Sequence, residues 1–222
     1  MIKFYSDDIG GIHICLNDRV VGELIQDGDG VWCIGSIDTR LMTPSLINEV
    51  EAKLRLLNAP MSGINLMVCG HGRSGKDTFC DLLDVPFVSS SYACLEHVIW
   101  PQWGKFQNYI DMDECFSDRA NHRTIWYDLI TAYNIPDRTK LARKIYDQAS
   151  IYCGIRNSLE FAAVRDAGLF QLSIWVDASE RLPAEDTASC TVTPDMCDII
   201  ITNNGTLEEF ETKVARLKDA IY

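Results

Sequence analysis

Apolar and polar positions follow a different pattern in the two parts of the chain. Before residue 60, short apolar runs are separated by turn residues, and these runs lie at 12–16, 19–25 and 31–34. The intervening residues are Asn17 and Asp18 in one place and an Asp/Gly stretch at 27–30 in the other. Short runs with such turns predict a small antiparallel β-meander.

A helix is predicted after the meander. Thr43 and Pro44 suit the N-cap and the first helical position, and apolar residues then recur at helical spacing, namely Leu46, Val50, Leu54 and Leu57. We expect residues 1–60 to form an N-terminal module and the next few residues to be a linker. The pattern leaves open whether this module serves packing, homodimer formation or substrate contact.

From residue 64 onward, apolar strand-like runs alternate with helical patterns, which predicts a parallel sheet covered on both faces. The expected strands lie near 64–69, 86–90, 151–154, 170–176 and 197–202. In the last helix Thr206 and Glu209 have capping-box spacing, and apolar residues repeat at 207, 210, 214, 217 and 221. We therefore expect an α/β domain over residues 64–222.

Charge and composition narrow the range of possible functions. The formal net charge of −12 argues against a general electrostatic grip on a nucleic-acid backbone, although a local basic groove stays open. No apolar run approaches the roughly 18 residues of a membrane span, and the first residues lack a signal-peptide pattern. We expect a cytoplasmic protein without a membrane partner. The nine cysteines form no CxxC pair and indicate neither a disulfide framework nor a zinc site.

A glycine-rich segment at 70–78 gives the clearest indication of chemical function. It follows an apolar strand and precedes a helix, which is the order of a phosphate-binding loop. Backbone N–H groups of such a loop point inward, the helix start adds partial positive charge, and Lys76 reaches the outer phosphates of a nucleotide. We expect nucleotide binding by Gly70, Gly72, Arg73, Ser74, Gly75, Lys76, Asp77 and Thr78.

Asp77 departs from the usual loop, in which a hydroxyl residue follows the lysine and holds magnesium. Asp77 would act on the metal directly or through water, or Thr78 would take over this task, and the spacing does not decide between them. The expected cofactors are ATP and Mg²⁺.

Candidate acceptor residues follow the later strands. Ser90 and Tyr92 come directly after the second strand, at the end of the sheet where α/β proteins bind ligands, although a serine there also suits a helix cap. Arg119 and Arg123 are four residues apart, so on one helix they would converge on one phosphate, or they would instead pair with Asp118 or Asp128.

Three further residues complete the candidate site. Arg156 leaves the third strand where an arginine would clamp a transferring phosphate. Glu160 would contact the substrate or form a capping box with Asn157. Arg181 lies in a long polar insertion that would serve as a closing lid or as an ordinary surface loop.

These motifs together resemble one family. The segment 70–78, the Arg156-x-x-x-Glu160 pattern and the segment 198–207 are similar to bacteriophage deoxynucleoside monophosphate kinases, relatives of the adenylate and thymidylate kinases. The resemblance covers residues 64–222 and implies a P-loop kinase fold, with a five-stranded parallel sheet and helices on both faces. It also implies transfer of the γ-phosphoryl group of ATP to a deoxynucleotide in the host cytoplasm. Gly154 departs from the family, which commonly has Asp there, and the N-terminal module is additional.

On this hypothesis Lys76, Arg123, Arg156 and Arg181 are catalytic, and the acceptor is bound by Ser90, Tyr92, Arg119, Arg123, Arg156 and Glu160. Two alternatives remain. Phage kinases that phosphorylate 5-hydroxymethyluracil within DNA would share the ATP half of the site, so modified DNA is a second candidate acceptor. A nucleotide-binding module without transfer activity is the third hypothesis.

Overall fold

The computed structural model describes residues 2–7, 11–17, 19–27, 31–57, 64–183 and 190–221. The strands of this part of the chain form one sheet. They are β1 (Ile2–Ser6), β2 (Ile12–Leu16), β3 (Arg19–Gln26), β4 (Trp32–Ile37), β5 (Leu66–Cys69), β6 (Phe87–Ser89), β7 (Ile151–Cys153), β8 (Leu172–Asp177) and β9 (Ile199–Thr202).

The sheet is mixed, and its strand order is β4-β3-β2-β1-β9-β8-β5-β7-β6. Strands β1 to β4 pair antiparallel, so the predicted N-terminal meander is confirmed. Strands β9, β8, β5, β7 and β6 run parallel to one another. The α/β class is therefore confirmed, whereas the predicted five-stranded sheet is wrong in extent because it is part of a nine-stranded mixed sheet.

Strand β1 explains this difference. Its residues alternate, with Ile2, Phe4 and Ser6 buried, although no strand was predicted there. β1 pairs antiparallel with β2 and parallel with β9, where Phe4 faces Ile199. The meander therefore continues the parallel part of the sheet. The division of the chain into two modules near residue 60 stays a prediction.

The described α-helices are α1 (Pro44–Leu57), α2 (Lys76–Leu83), α3 (Ser90–Cys94), α4 (Trp100–Gln102), α5 (Met112–Ser117), α6 (Arg123–Tyr133), α7 (Lys140–Tyr146), α8 (Ser158–Asp166) and α9 (Leu207–Ile221). Thr43 Oγ1 accepts from the Leu46 N–H and caps α1 as predicted. Thr206 and Glu209 form the reciprocal capping box of α9. Leu207, expected on the packed face of α9, is 60% exposed.

Two apolar clusters cover the two faces of the sheet. Successive residues of β5 alternate between them: Leu66 and Val68 belong to one cluster, and Met67 and Cys69 belong to the other. Helices α1, α2 and α9 pack on the first face, and α3, α7 and α8 pack on the second. Burial on both faces gives the continuous apolar strands expected of parallel sheets.

A third cluster lies outside the sheet, in the segment 95–133, where Trp126 of α6 packs with Leu95, Val98 and Ile99. This cluster fixes the position of α6 above the second face. Within the described ranges, no helix is both long and apolar enough to cross a membrane.

An ionic cluster at the start of β9 joins helices from both faces. Asp198 accepts from Lys53 of α1 at 2.8 Å and from the Ser173 hydroxyl at 2.6 Å, and Arg165 of α8 lies 3.5 Å away. Burial alone would raise the pKa of Asp198, but the Lys53 ammonium and the Ser173 hydroxyl outweigh it and lower this pKa.

Candidate functional site

The glycine-rich segment leaves β5 and enters α2 through three left-handed residues. Gly70, Arg73 and Gly75 have φ angles of 147°, 65° and 96°. A Cβ at Gly70 would lie 2.6 Å from both the Ser74 hydroxyl oxygen and the Val176 carbonyl oxygen. Because side chains are excluded there, the backbone closes tightly on itself, as a phosphate-binding loop requires.

Asn203 holds this loop from the end of β9, which is separated from β5 by β8. It is buried directly after β9, its Nδ2 donates to the Ser74 carbonyl at 2.8 Å, and its N–H donates to the Asp177 carbonyl at 2.6 Å. A Cβ at Gly75 would collide with Nδ2 of Asn203, so this contact needs glycine at residue 75. The loop conformation is thus fixed by its own glycines and by one buried amide.

The interior of the loop fits a phosphate group. Gly75 is the N-cap of α2 and provides no side-chain cap, so the partial positive charge of the helix start is left for an external anion. The Lys76 ammonium donates to the His71 carbonyl at 2.6 Å and is therefore held over the loop. The Ser74 hydroxyl is buried and has no hydrogen-bond partner in the described part of the chain. Each of these groups favours an anionic, hydrogen-bond-accepting ligand.

The two candidate magnesium ligands lie on the first turn of α2. Asp77 is exposed, and its Oδ1 accepts a long hydrogen bond of 3.5 Å from the buried Cys153 thiol at the end of β7. Thr78 is half-buried. The described residues contain no group of three or more His, Cys, Asp or Glu side chains arranged around a metal. Magnesium binding at Asp77 or Thr78 stays a prediction.

A pocket of about 390 Å³ lies beside the loop and brings four predicted acceptor residues together. These residues are Ser90, Arg123, Arg156 and Glu160. The volume is within the range of small-molecule sites. Aromatic side chains of α6 and β7, namely Trp126, Tyr127 and Tyr152, form much of the wall.

Ser90 lines this pocket but does not cap a helix. Its hydroxyl donates to the Gly154 carbonyl at 2.8 Å, and Ser89, the N-cap of α3, makes no side-chain cap bond. The hydroxyl therefore ties α3 to the end of β7.

Tyr92 and Arg119 lie outside the residues that line the pocket. The Tyr92 ring packs against Phe116, with centroids 5.9 Å apart. The Arg119 guanidinium lies 4.0 Å above the same Phe116 ring and donates to the Phe116 carbonyl at 2.8 Å. Both side chains thus pack on the segment before α6.

The expected shared helical face of Arg119 and Arg123 is wrong. Arg119 belongs to a 3₁₀ helix, Asp118–His122, and Arg123 begins α6. His122 breaks the helical path with φ −122° and ψ 27°. Because the helix type changes at His122, the four-residue spacing does not place the two arginines side by side.

Only half of the capping box expected of Asn157 and Glu160 forms, and substrate contact by Glu160 stays a prediction. Asn157 Oδ1 caps α8 by accepting from the Leu159 and Glu160 N–H groups, while the Glu160 carboxylate lines the pocket. Oε1 of Glu160 accepts from Asn134 Nδ2 at 3.0 Å. Burial raises the pKa of Glu160, although the Asn134 hydrogen bond and the Arg138 charge oppose this rise.

The loop and the pocket meet at Gly154. This residue has φ 96°, and a Cβ there would lie 3.1 Å from the Ser90 hydroxyl oxygen and 3.8 Å from Cε of Lys76. Gly154 also lines the pocket, so the stem of Lys76 passes along its border. The left-handed backbone and the close Ser90 hydroxyl explain why glycine, and not Asp, fits this position.

Arg181 lies on the other side of the loop from Gly154. Its Nε donates to the Asn203 carbonyl, which places it beside the residue that holds the loop. A second pocket of about 390 Å³ adjoins this region and is lined partly by His71, Ser74 and Asp177. The lid predicted around Arg181 lies partly outside the described residues, at 184–189, and stays a prediction.

Sequence reasoning missed the contribution of α6 and of Asn203. Pocket residues Trp126, Tyr127, Ile130 and Thr131 follow Arg123 at spacings of three, four, seven and eight, which is one face of a helix. This periodicity was available in the sequence. Asn203 lies within the segment 198–207, and only the fold brings its amide to the Ser74 carbonyl. Neither protein-family models nor curated proteins gave a match to this chain.

Proposed function

We propose that the protein is an ATP-dependent kinase of a small nucleotide, with a deoxynucleoside monophosphate as its acceptor. The observation that carries this proposal is the shared border at Gly154. There, Cε of the loop lysine lies 3.8 Å from where a Cβ of Gly154 would stand, and Gly154 also lines the arginine-bearing pocket. A phosphate donor and an acceptor bound in the two places would be neighbours, which direct transfer requires.

The parallel part of the sheet supports the kinase interpretation. Strands β6, β7, β5, β8 and β9 are parallel neighbours, and the loop follows the central strand β5. Ligands of open α/β sheets bind at the carboxyl ends of the strands, and both the loop and the pocket lie there. We infer that this part of the fold is a P-loop kinase core, to which the N-terminal strands are added.

Each residue has a separate task in this mechanism. The loop N–H groups and the start of α2 bind the outer phosphates, and Lys76 neutralises their charge. Arg123 and Arg156 hold the acceptor phosphate and orient it toward the loop. When bound, magnesium and ATP supply the transferable phosphoryl group and further charge neutralisation, with Asp77 or Thr78 as the residues that would hold the metal. No covalent nucleophile on the protein is needed.

The pocket and the resemblance support the proposal of a deoxynucleotide acceptor. The pocket combines two guanidinium groups with an aromatic wall and a half-buried carboxylate. Guanidinium forks recognise phosphate, and aromatic rings stack on planar bases. A nucleoside monophosphate carries both parts.

The proposal is tested with Lys76→Ala and the matched control Lys144→Ala, which changes an exposed lysine of α7. Labelled ATP is supplied with each of the four deoxynucleoside monophosphates. Lys76→Ala should lower transfer by at least about 100-fold, the scale of losing one preorganised charged donor, and the control should not. Unchanged transfer in Lys76→Ala would sink the proposal.

The same assay, with hydroxymethyluracil-containing DNA as a further acceptor, separates the alternative functions. Label in hydroxymethyluracil-containing DNA and not in the monomers would show that the acceptor is a polymer. ATP binding without label in any acceptor would instead favour a nucleotide-binding module.

A further inference from the structure

Two buried thiols form a hydrogen-bonded chain that ends on the carboxylate of Asp77. Cys80 of α2 and Cys153 of β7 are 0% and 1% exposed, and their thiols are hydrogen-bonded to each other. The Cys153 thiol also donates to Oδ1 of Asp77 at 3.5 Å. Because a thiol carries one proton, Cys153 can donate to Asp77 only if Cys80 is the donor in the contact between the thiols. The hydrogen bond with Cys153 and burial raise the pKa of Cys80, so Cys80 keeps the proton that this donation needs.

This chain fixes the direction of the Asp77 side chain. Asp77 has no other hydrogen-bond partner in the described part of the chain. Cys153 directly precedes Gly154, the residue at which the loop and the acceptor pocket meet. A carboxylate held by Cys153 is thus kept beside the place where the two phosphates would be neighbours. Successive residues of an α-helix are turned by about 100°, so Thr78 does not face the same strand end.

Helix stabilisation alone does not explain this arrangement. An acidic residue in the first turn of a helix favours the helix dipole, and Asp77 lies in the first turn of α2. That effect needs no hydrogen-bond donor on a neighbouring strand, because a carboxylate that faces solvent provides it as well. Two buried thiols that end on one exposed carboxylate instead indicate that its direction matters.

A single carboxylate fits the metal that accompanies a nucleotide. Magnesium in such sites usually takes one or two protein carboxylates, while phosphate oxygens and waters complete its shell. The described residues contain no metal group of three or more side chains, and such a site needs none. Asp77 is exposed, and its Oδ2 accepts no hydrogen bond within the described ranges, so this oxygen is left for a cation.

We propose that Cys153, supported by Cys80, is a positioning residue that directs the Asp77 carboxylate to the magnesium ion of bound ATP, and that Asp77, not Thr78, holds this ion. The proposal rests on the proposed function for the presence of ATP. It adds which residue holds the metal and which side chains orient that residue. Cys153 acts through Asp77 and itself contacts neither ATP nor the metal.

The test measures how much magnesium strengthens ATP binding, by calorimetric titration of the protein with ATP and without an acceptor. The measured quantity is the Kd in the presence of a chelator divided by the Kd in the presence of Mg²⁺. Cys153→Ala should lower this ratio by about 10-fold, the scale for partners that orient a metal ligand, and Asp77→Ala should lower it at least as far. Cys153→Ser, which keeps a hydroxyl donor, should retain most of the natural ratio.

Cys197→Ala is the matched control, because Cys197 is also 1% exposed and its thiol contacts that of Cys69. This control should keep the natural ratio. Weaker ATP binding with an unchanged ratio in Cys153→Ala would show a purely structural role and would overturn the proposal. A larger loss in Thr78→Val than in Asp77→Ala would overturn it as well.

Infrared spectra test the hydrogen bond without altering a cysteine. A thiol that donates to a carboxylate has a lower S–H stretching frequency than one without an acceptor. Asp77→Ala changes an exposed residue and should therefore raise the frequency of one S–H band. An unchanged S–H spectrum would overturn the role of Cys153, and this result decides the matter even if Cys153→Ala does not fold.

The binding measurements need no acceptor, so they separate this proposal from the kinase activity. The expected ratios without phosphorylation of any acceptor would sink the kinase and keep the role of Cys153. Phosphorylation with equal ratios in the natural protein and in Cys153→Ala would keep the kinase and overturn the role of Cys153. Absence of ATP binding to the natural protein would overturn both.

Discussion

Asn203 provides the sharpest test of how the phosphate loop is held. Its side-chain amide donates to the Ser74 carbonyl at 2.8 Å, and this contact joins residues 129 positions apart. Asn203→Ala removes the donor and leaves the Ser74 carbonyl with the space of a missing amide beside it. The change should therefore act on the loop conformation without touching its glycines or Lys76.

The expected size of the effect follows from the burial of Asn203. Asn203 is 8% exposed, so the Ser74 carbonyl would lose a partner that water replaces poorly. Leaving a buried acceptor unsatisfied costs about 1–3 kcal/mol. If the whole cost falls on the binding-competent loop, ATP should bind about 5-fold to 140-fold more weakly, since about 1.4 kcal/mol corresponds to tenfold.

Two measurements check this reasoning on the same samples: urea unfolding and calorimetric titration with ATP. The matched control is Asn204→Ala, because Asn204 is less buried: its amide donates to Asp177 Oδ2 at 3.4 Å, and its Oδ1 accepts from the Glu180 N–H at 3.2 Å. The control should change both quantities by less than about 0.5 kcal/mol, because neither contact reaches the loop. Asn203→Ala that loses stability but binds ATP normally would refute the assignment of Asn203 to the loop.

Three further predictions address other parts of the molecule. The pKa of Asp198 is lowered in the folded state, so the ionised carboxylate stabilises the fold above the pKa of the unfolded state, near 3.8, and this stability is lost as pH falls through the folded pKa. Asp198→Asn should therefore be less stable at pH 7, and urea titrations should show that its stability falls less steeply below pH 4. Gly154→Asp should lower the free energy of unfolding by about 1–3 kcal/mol, because an aspartate at φ 96° is strained, and a stability equal to that of the natural protein in thermal melts would contradict this account. Arg123→Ala should raise the KM for the acceptor nucleotide at least about tenfold, on the scale of a charge-assisted hydrogen bond, whereas Arg119→Ala should leave it unchanged; equal KM effects in steady-state kinetics would argue against the separation of the two arginines.

The parts of the fold that were predictable are those with a local signal. The five parallel strands were expected from apolar runs bounded by turns, and the loop was expected from glycine spacing between a strand and a helix. Strand β1 was missed, although Ile2 and Phe4 alternate with polar residues, because a five-residue alternation is a weak signal. Its parallel pairing with β9 depends on packing between distant segments and leaves no local trace.

The candidate site likewise contains residues that the sequence predicts and contacts that it does not. Ser90 and Arg156 were predicted because polar residues that follow strands gather at one edge of a parallel sheet, and both line the pocket together with Glu160. Arg123 also lines the pocket, but it was predicted from its spacing to Arg119, which the structure does not support. Arg119 was misplaced because four-residue spacing implies a shared face only on a continuous α-helix. The partners that orient the site residues, such as Asn134 for Glu160, come from separate elements and need the tertiary structure.

The position of β1 has a consequence for how the chain reaches its native state. The meander can form from its own short-range pairings early in synthesis, but Phe4 of β1 meets Ile199 of β9 only when nearly the whole chain is available. Contacts between such distant segments form slowly. Until they form, the edge of β9 and the outer edge of β1 both present unpaired backbone groups, which readily join other chains. A fragment that starts at residue 64 should keep the β9 edge open permanently and should aggregate where the whole protein does not.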